Sequence, residues 1–105
     1  MAPPPLSKPT MKESYVYLLR SLKDNGFYLG WTTDLNHRLE VHNTRQVFST
    51  KSRAPFELIH YEIYPSPELA KLRERKLKKN PNMYSYFKKH ALKKEVVGWI
   101  TGISQ

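Results

Sequence analysis

In SYVYLLRSLKDNGFYLGWT, residues 14–32, two runs of β-branched and aromatic side chains flank a short polar segment. That segment, LKDNG (22–26), carries the Asp, Asn and Gly that a chain reversal needs, so the two runs read as the arms of a β-hairpin. Both faces of YVYLL (15–19) are apolar, the pattern of a strand covered on both sides and placed inside a sheet. Each arm holds a tyrosine, Tyr17 in the first and Tyr28 in the second. A strand tyrosine is either a core side chain with its hydroxyl at the rim or a chemical group. The second use requires nearby positive charge, because a free phenol titrates near pH ~10.

Downstream of the hairpin, TTDLNHRLEVHNTRQ (32–46) offers Thr33 or Asp34 as the cap of a helix on which Leu35 and Leu39 recur one turn apart. The same spacing puts Arg38 and His42 together on a neighbouring face. A basic loop, STKSRAP (49–55), leads into FELIHYEIY (56–64), whose composition predicts a third strand. SPELAKLRERKLKK (66–79) starts a helix with Ser66 as cap, Pro67 in the first position and Glu68 in the first turn. Leu69, Ala70, Leu72 and Leu77 are its expected buried stripe. Asn80-Pro81-Asn82 breaks the chain, and MYSYFKKHAL (83–92) predicts a last helix docked by Met83, Tyr86, Phe87 and Leu92. KKEVVGWITGISQ (93–105) fits either a short strand or a loosely packed extension. The order β-β-α-β-α-α defines an α+β protein, a small three-stranded antiparallel sheet flanked by helices.

One domain exhausts the 105 residues. Four of the eight prolines fall within the first nine positions, so residues 1–12 read as a flexible tail, 13–92 as the domain and 93–105 as a C-terminal extension. Eighteen Lys and Arg against nine Asp and Glu give a net charge of +9, a field that attracts a polyanion: nucleic acid first, an anionic membrane second. The absence of cysteine excludes disulfides, thiolate metal sites and a cysteine nucleophile. With no signal-like apolar segment and no run long enough to span a bilayer, the expectation is a soluble, cytoplasmic protein, a monomer by default and without a membrane partner.

Glu74 is the one acid between Lys71 and Lys79. At the margin of the stripe made by Ala70 and Leu77 it is either a surface ion-pair partner or a carboxylate ligand for a hard divalent cation. Arg38 and His42 are either a solvated helix face or a phosphate clamp with a group that titrates near neutrality. Lys51 and Arg53, set among small hydroxyl residues, suit phosphate contact, and Arg73 and Lys76 from the basic helix complete the expected DNA-binding set.

Taken together these positions resemble the GIY-YIG nuclease superfamily, in particular small single-domain bacterial members related to the N-terminal catalytic domain of the excision-repair nuclease UvrC. The resemblance runs from about Tyr15 to Leu92. Tyr15–Tyr17 (YVY) stands for the first motif and Tyr28–Gly30 (YLG) for the second. The segments bearing Arg38, His42 and Glu74 follow in family order. Tyr15 replaces the first motif's glycine, and Trp31 stands where some relatives carry lysine or another polar side chain.

The resemblance implies a GIY-YIG endonuclease-like fold and hydrolysis of DNA phosphodiesters with a single Mg²⁺ or Mn²⁺. By it, Glu74 holds the metal, Arg38 neutralises transition-state charge, Tyr17 activates water, Tyr28 orients water or phosphate, and His42 assists. A phosphate-contacting asparagine falls to Asn80 or Asn82. DNA repair is the setting it suggests. A catalytically silent nucleic-acid-binding module and an RNA-directed nuclease are the alternatives.

Overall fold

The hairpin forms from strands β1 (Ser14–Ser21) and β2 (Phe27–Thr32). The computed structural model describes the backbone of residues 12–104 and the side chains of residues 12–92; residues 1–11, most of the expected tail, and Gln105 lie outside the described residues. Ser21 N donates to the Gly26 carbonyl at 2.8 Å and Asn25 N to the Ser21 carbonyl at 2.8 Å, closing the loop between the arms. Asn25, not Gly26, takes the left-handed conformation there, at φ 62. Asparagine tolerates that region because its short amide bonds locally. Gly26 provides room instead: a Cβ on it would stand 2.6 Å from Nη2 of Arg53.

Helix α1 (Leu35–Asn43) follows, then a 3-10 turn (Lys51–Arg53), strand β3 (Phe56–Tyr64), and helices α2 (Pro67–Lys79) and α3 (Pro81–Ser104). The sheet is antiparallel in the order β2-β1-β3, so the most apolar strand is central. Val16 and Leu18 of β1 point to one face, with Leu29, Ile59, Ala70, Leu77, Phe87 and Ala91, under α2 and α3. Tyr17 and Leu19 point to the other, with Ala54 and Phe56 and the partly buried Tyr28, Leu35, Leu39 and Leu58. Each fully buried side chain of this kind contributes roughly 1.5–3 kcal/mol. A register shift between Leu18 and Leu19 makes Ile59 an extra residue in β3, which turns it to the α2 and α3 face.

The helix caps follow the sequence. Asp34 Oδ1 accepts from His37 N at 3.1 Å, Ser66 Oγ from Leu69 N at 3.3 Å, and Asn80 Oδ1 from Met83 N at 3.0 Å. The buried stripes differ from the expectation. On α2 only Ala70 and Leu77 are buried, while Leu69 and Leu72 are 45% and 44% exposed. At about 100° per residue, the face shared by Ala70 and Leu77 also includes Arg73 and Glu74, and Leu69 and Leu72 fall well outside it. On α3, Phe87 and Ala91 are buried, Tyr84 and Leu92 pack partly, and Met83 and Tyr86 are exposed. From residue 93 the backbone continues in α3 as far as Ser104 rather than turning into a short strand. No helix among the described residues is long and apolar enough to cross a membrane.

Candidate active site

Tyr17 lies at the middle of the central strand, opposite Gly30 on β2 and Tyr61 on β3. Its ring crosses Gly30 so closely that a Cβ there would stand 2.5 Å from Oη and 2.7 Å from Cζ. The glycine of YLG is therefore the space that the tyrosine of YVY fills. Helix α1 closes over the same face and delivers two side chains to the phenol. His42 Nε2 lies 3.0 Å from Tyr17 Oη, and Arg38 Nε donates to that oxygen at 3.3 Å. One helical turn between Arg38 and His42 places both on this one atom.

Thr50 extends the chain of bonds, its Oγ1 lying 2.9 Å from His42 Nδ1. The same hydroxyl is 3.5 Å from the Val47 carbonyl, which can only accept. All partners are satisfied when Thr50 donates to Val47, His42 Nδ1–H donates to Thr50, and Tyr17 O–H donates to Nε2. Tyr17, His42 and Thr50 are all almost fully buried. Burial, with the Arg38 charge adding to it, pushes the His42 pKa down to about 4. Burial also pushes the Tyr17 phenol up to about 12, against the Arg38 hydrogen bond, which acts in the opposite direction. Arg38 itself is raised, chiefly by its bond to Tyr17. At neutral pH the cluster is thus a phenol and a neutral imidazole beside a guanidinium cation.

The Tyr28 ring packs 4.9 Å from the His42 ring and 6.3 Å from that of Tyr17. Lys78 reaches over it from α2, with Nζ 5.8 Å from the ring centroid, and pairs with Glu74 Oε2 at 2.7 Å. Helix α2 packs on both β1 and β2. Glu74 is among the charges that raise the Tyr17 phenol, and its side chain is only 16% exposed. Tyr17, Tyr28, Arg38 and His42 are therefore brought together, and Glu74 is linked to them through Lys78.

Of the four basic residues expected on DNA, Arg53 and Arg73 are held in ion pairs, and Lys51 and Lys76 are exposed. Arg53 bonds Asp24 Oδ2 at 2.8 Å and the Phe27 carbonyl at 3.4 Å, tying the 3-10 turn to the hairpin loop. Arg73 forms a two-pronged pair with Glu62, at 3.0 and 3.2 Å, and lines a separate cavity of about 230 Å³ with His60, Phe87 and His90. Lys76 is exposed, as is Lys51, which stands beside Phe48. Asn80 uses its side chain to cap α3.

Three positions of structural weight escape a reading of the sequence alone: Gly30, Thr50 and Asn43. Asn43 fixes the end of α1 to the start of β3, accepting from Phe56 N at 2.6 Å and donating to the Phe56 carbonyl at 3.2 Å. Among the described residues no three His, Cys, Asp or Glu side chains gather as a metal-binding group. Glu74 is the carboxylate that could hold a cation at this site. A lone carboxylate suits a hard ion such as Mg²⁺ or Mn²⁺, which would complete its coordination with water and phosphate oxygens.

A buried tyrosine held by an arginine and a histidine of one helix is thus the centre of the site, and the family is given by comparison with known proteins. Residues 13–90 match the GIY-YIG catalytic domain, and the chain belongs to that nuclease-type family. Among its relatives are UPF0213 proteins of Streptococcus pyogenes serotypes M3 and M1, each 39% identical over 71 residues, covering 67% of this chain and 76% of theirs. A solved structure, the solution NMR structure of the UPF0213 protein BH0048 from Bacillus halodurans, is 35% identical, covering 65% of this chain and 72% of that one, with a TM-score of 0.41.

Proposed function

We propose that the protein is a metal-dependent endonuclease that hydrolyses DNA phosphodiesters with one divalent cation. The observation that carries this reading is the Tyr17 phenol suspended between His42 Nε2 and Arg38 Nε. Arg38 already donates toward the reacting region, and a guanidinium there offsets the charge that grows on a phosphoryl group under attack. Tyr17 takes a proton from the attacking water as it passes its own to His42 Nε2, so a free phenolate is not required. A phosphodiester anion brought against Arg38 favours this transfer, because negative charge nearby stabilises the imidazolium. Thr50 and the Tyr28 ring fix the imidazole's tautomer and tilt. Glu74 would hold Mg²⁺ or Mn²⁺ in place of its Lys78 contact. When bound, such an ion supplies Lewis-acid charge to the phosphoryl oxygens.

The test is incubation of labelled single-stranded, duplex and branched DNA with Mg²⁺, Mn²⁺ or EDTA, using wild type, Glu74→Ala and Arg38→Ala. Cutting should require the metal and fall by about 10²–10³-fold or more in each variant. Intact substrate throughout, or equal cutting by the variants, would sink the proposal. Salt-sensitive binding without cutting would mark a silent binding module instead.

A further inference from the structure

We propose that Phe48, with Lys51 beside its ring, is a stacking platform for an unpaired nucleobase of the DNA whose phosphodiester meets Tyr17 and Arg38. This rests on the nucleic-acid reading above and adds a binding residue to it. Phe48 is 83% exposed, more than any other large apolar side chain among the described residues. A single exposed apolar residue is ordinary; its surroundings here are not. Lys51 Nζ lies 5.0 Å from the centroid of the Phe48 ring. A cation at that distance is attracted by the ring face and remains able to meet a backbone phosphate. Arg45, also exposed, sits in the left-handed region at φ 61, where a helix usually ends in glycine.

The segment is anchored to the candidate active site two residues further on. Thr50 is buried and bonded to His42, and chain geometry keeps its Cα within about 7 Å of that of Phe48. Arg53 is committed to Asp24, so the exposed cations of this segment are Arg45 and Lys51. An exposed aromatic ring with a cation beside it, in a segment that carries a second exposed cation at Arg45, offers stacking and phosphate attraction with no pattern of donors to read a base edge. It suits any base whose face is uncovered, and a base inside a duplex has both faces covered by its neighbours.

Binding in EDTA separates this inference from the nuclease reading, because no cleavage is needed. Fluorescence anisotropy of the full chain would compare a short oligothymidylate, the same strand made abasic, and a blunt duplex. Phe48→Ala should weaken binding to the oligothymidylate by roughly 5- to 150-fold and leave the abasic strand and the duplex within about twofold. Phe48→Trp should keep the affinity, and its emission, taken as the difference from wild type, should be quenched by the oligothymidylate and not by the abasic strand. Unchanged affinity in Phe48→Ala, equal losses on all three ligands, or no base-dependent quenching would overturn the stacking role, even if the protein cuts DNA. Phe48-dependent binding by a protein that never cuts would keep it and remove the nuclease reading.

Discussion

His42 has no exposed surface, and burial beside Arg38 holds its pKa at about 4. In the unfolded chain the same imidazole titrates near ~6.5. Between those values the unfolded state binds more protons than the native one, so stability falls as pH drops through that window. The contribution is complete above about pH 6.5 and lost by about pH 4, and amounts to roughly 3 kcal/mol. Urea melts of wild type and His42→Gln across this range should show the steeper acid loss in wild type. Parallel curves would mean that His42 is charged in the folded protein. Gly30 gives a second expectation at this scale. Tyr17 is buried and bonded on two sides, so it cannot move away from a Cβ placed 2.5 Å from its oxygen. Gly30→Ala should cost about 1–3 kcal/mol and should also abolish cleavage. Full activity in that variant would mean that the phenol's position is unimportant.

The end of α1 shows the same coupling between shape and function at the level of an element. Arg45 N donates to the His42 carbonyl at 3.2 Å and Gln46 N to the Val41 carbonyl at 2.9 Å, the two bonds of a Schellman motif. Arginine occupies its left-handed position at φ 61, where a Cβ is costly. Arg45→Gly should therefore raise stability by about 0.5–1 kcal/mol, measured by urea denaturation, while weakening single-stranded DNA binding. A loss of stability would show that the side chain holds the turn together. The helix α2 explains why sequence patterning located the element and misplaced its face. Four apolar residues compete for the inward stripe, and the sheet accepts Ala70 and Leu77. Close approach of a helix to a sheet favours a small residue at the contact, and this sets the half-buried Arg73 and Glu74 on either side of it. Leu69 and Leu72 are left in solvent as a result.

Over the whole molecule, a charge of +9 means that the proposed binding of DNA should depend on salt. The logarithm of affinity for single-stranded DNA should fall with that of salt by about 0.7 per phosphate neutralised. Because Arg53 and Arg73 are paired with Asp24 and Glu62, while Lys51 and Lys76 are exposed, Lys51→Ala and Lys76→Ala should each reduce the slope by about 0.7. Arg73→Ala should leave it nearly unchanged, and the reverse ranking would place the DNA across α2 near Glu62.

The sequence by itself determined the elements and their order, since alternation, turn residues and caps act within a few positions of the chain. It also determined that Arg38 and His42 share a helix face, because one turn of helix guarantees it. Only the tertiary structure decided that both meet on one phenol oxygen, that Thr50 holds the far side of the imidazole, and that Gly30 is the gap which admits the ring. Those contacts join residues from 8 to 25 positions apart. They are set by the register of β1 on β2 and the seating of α1 on the sheet, and no local propensity encodes either.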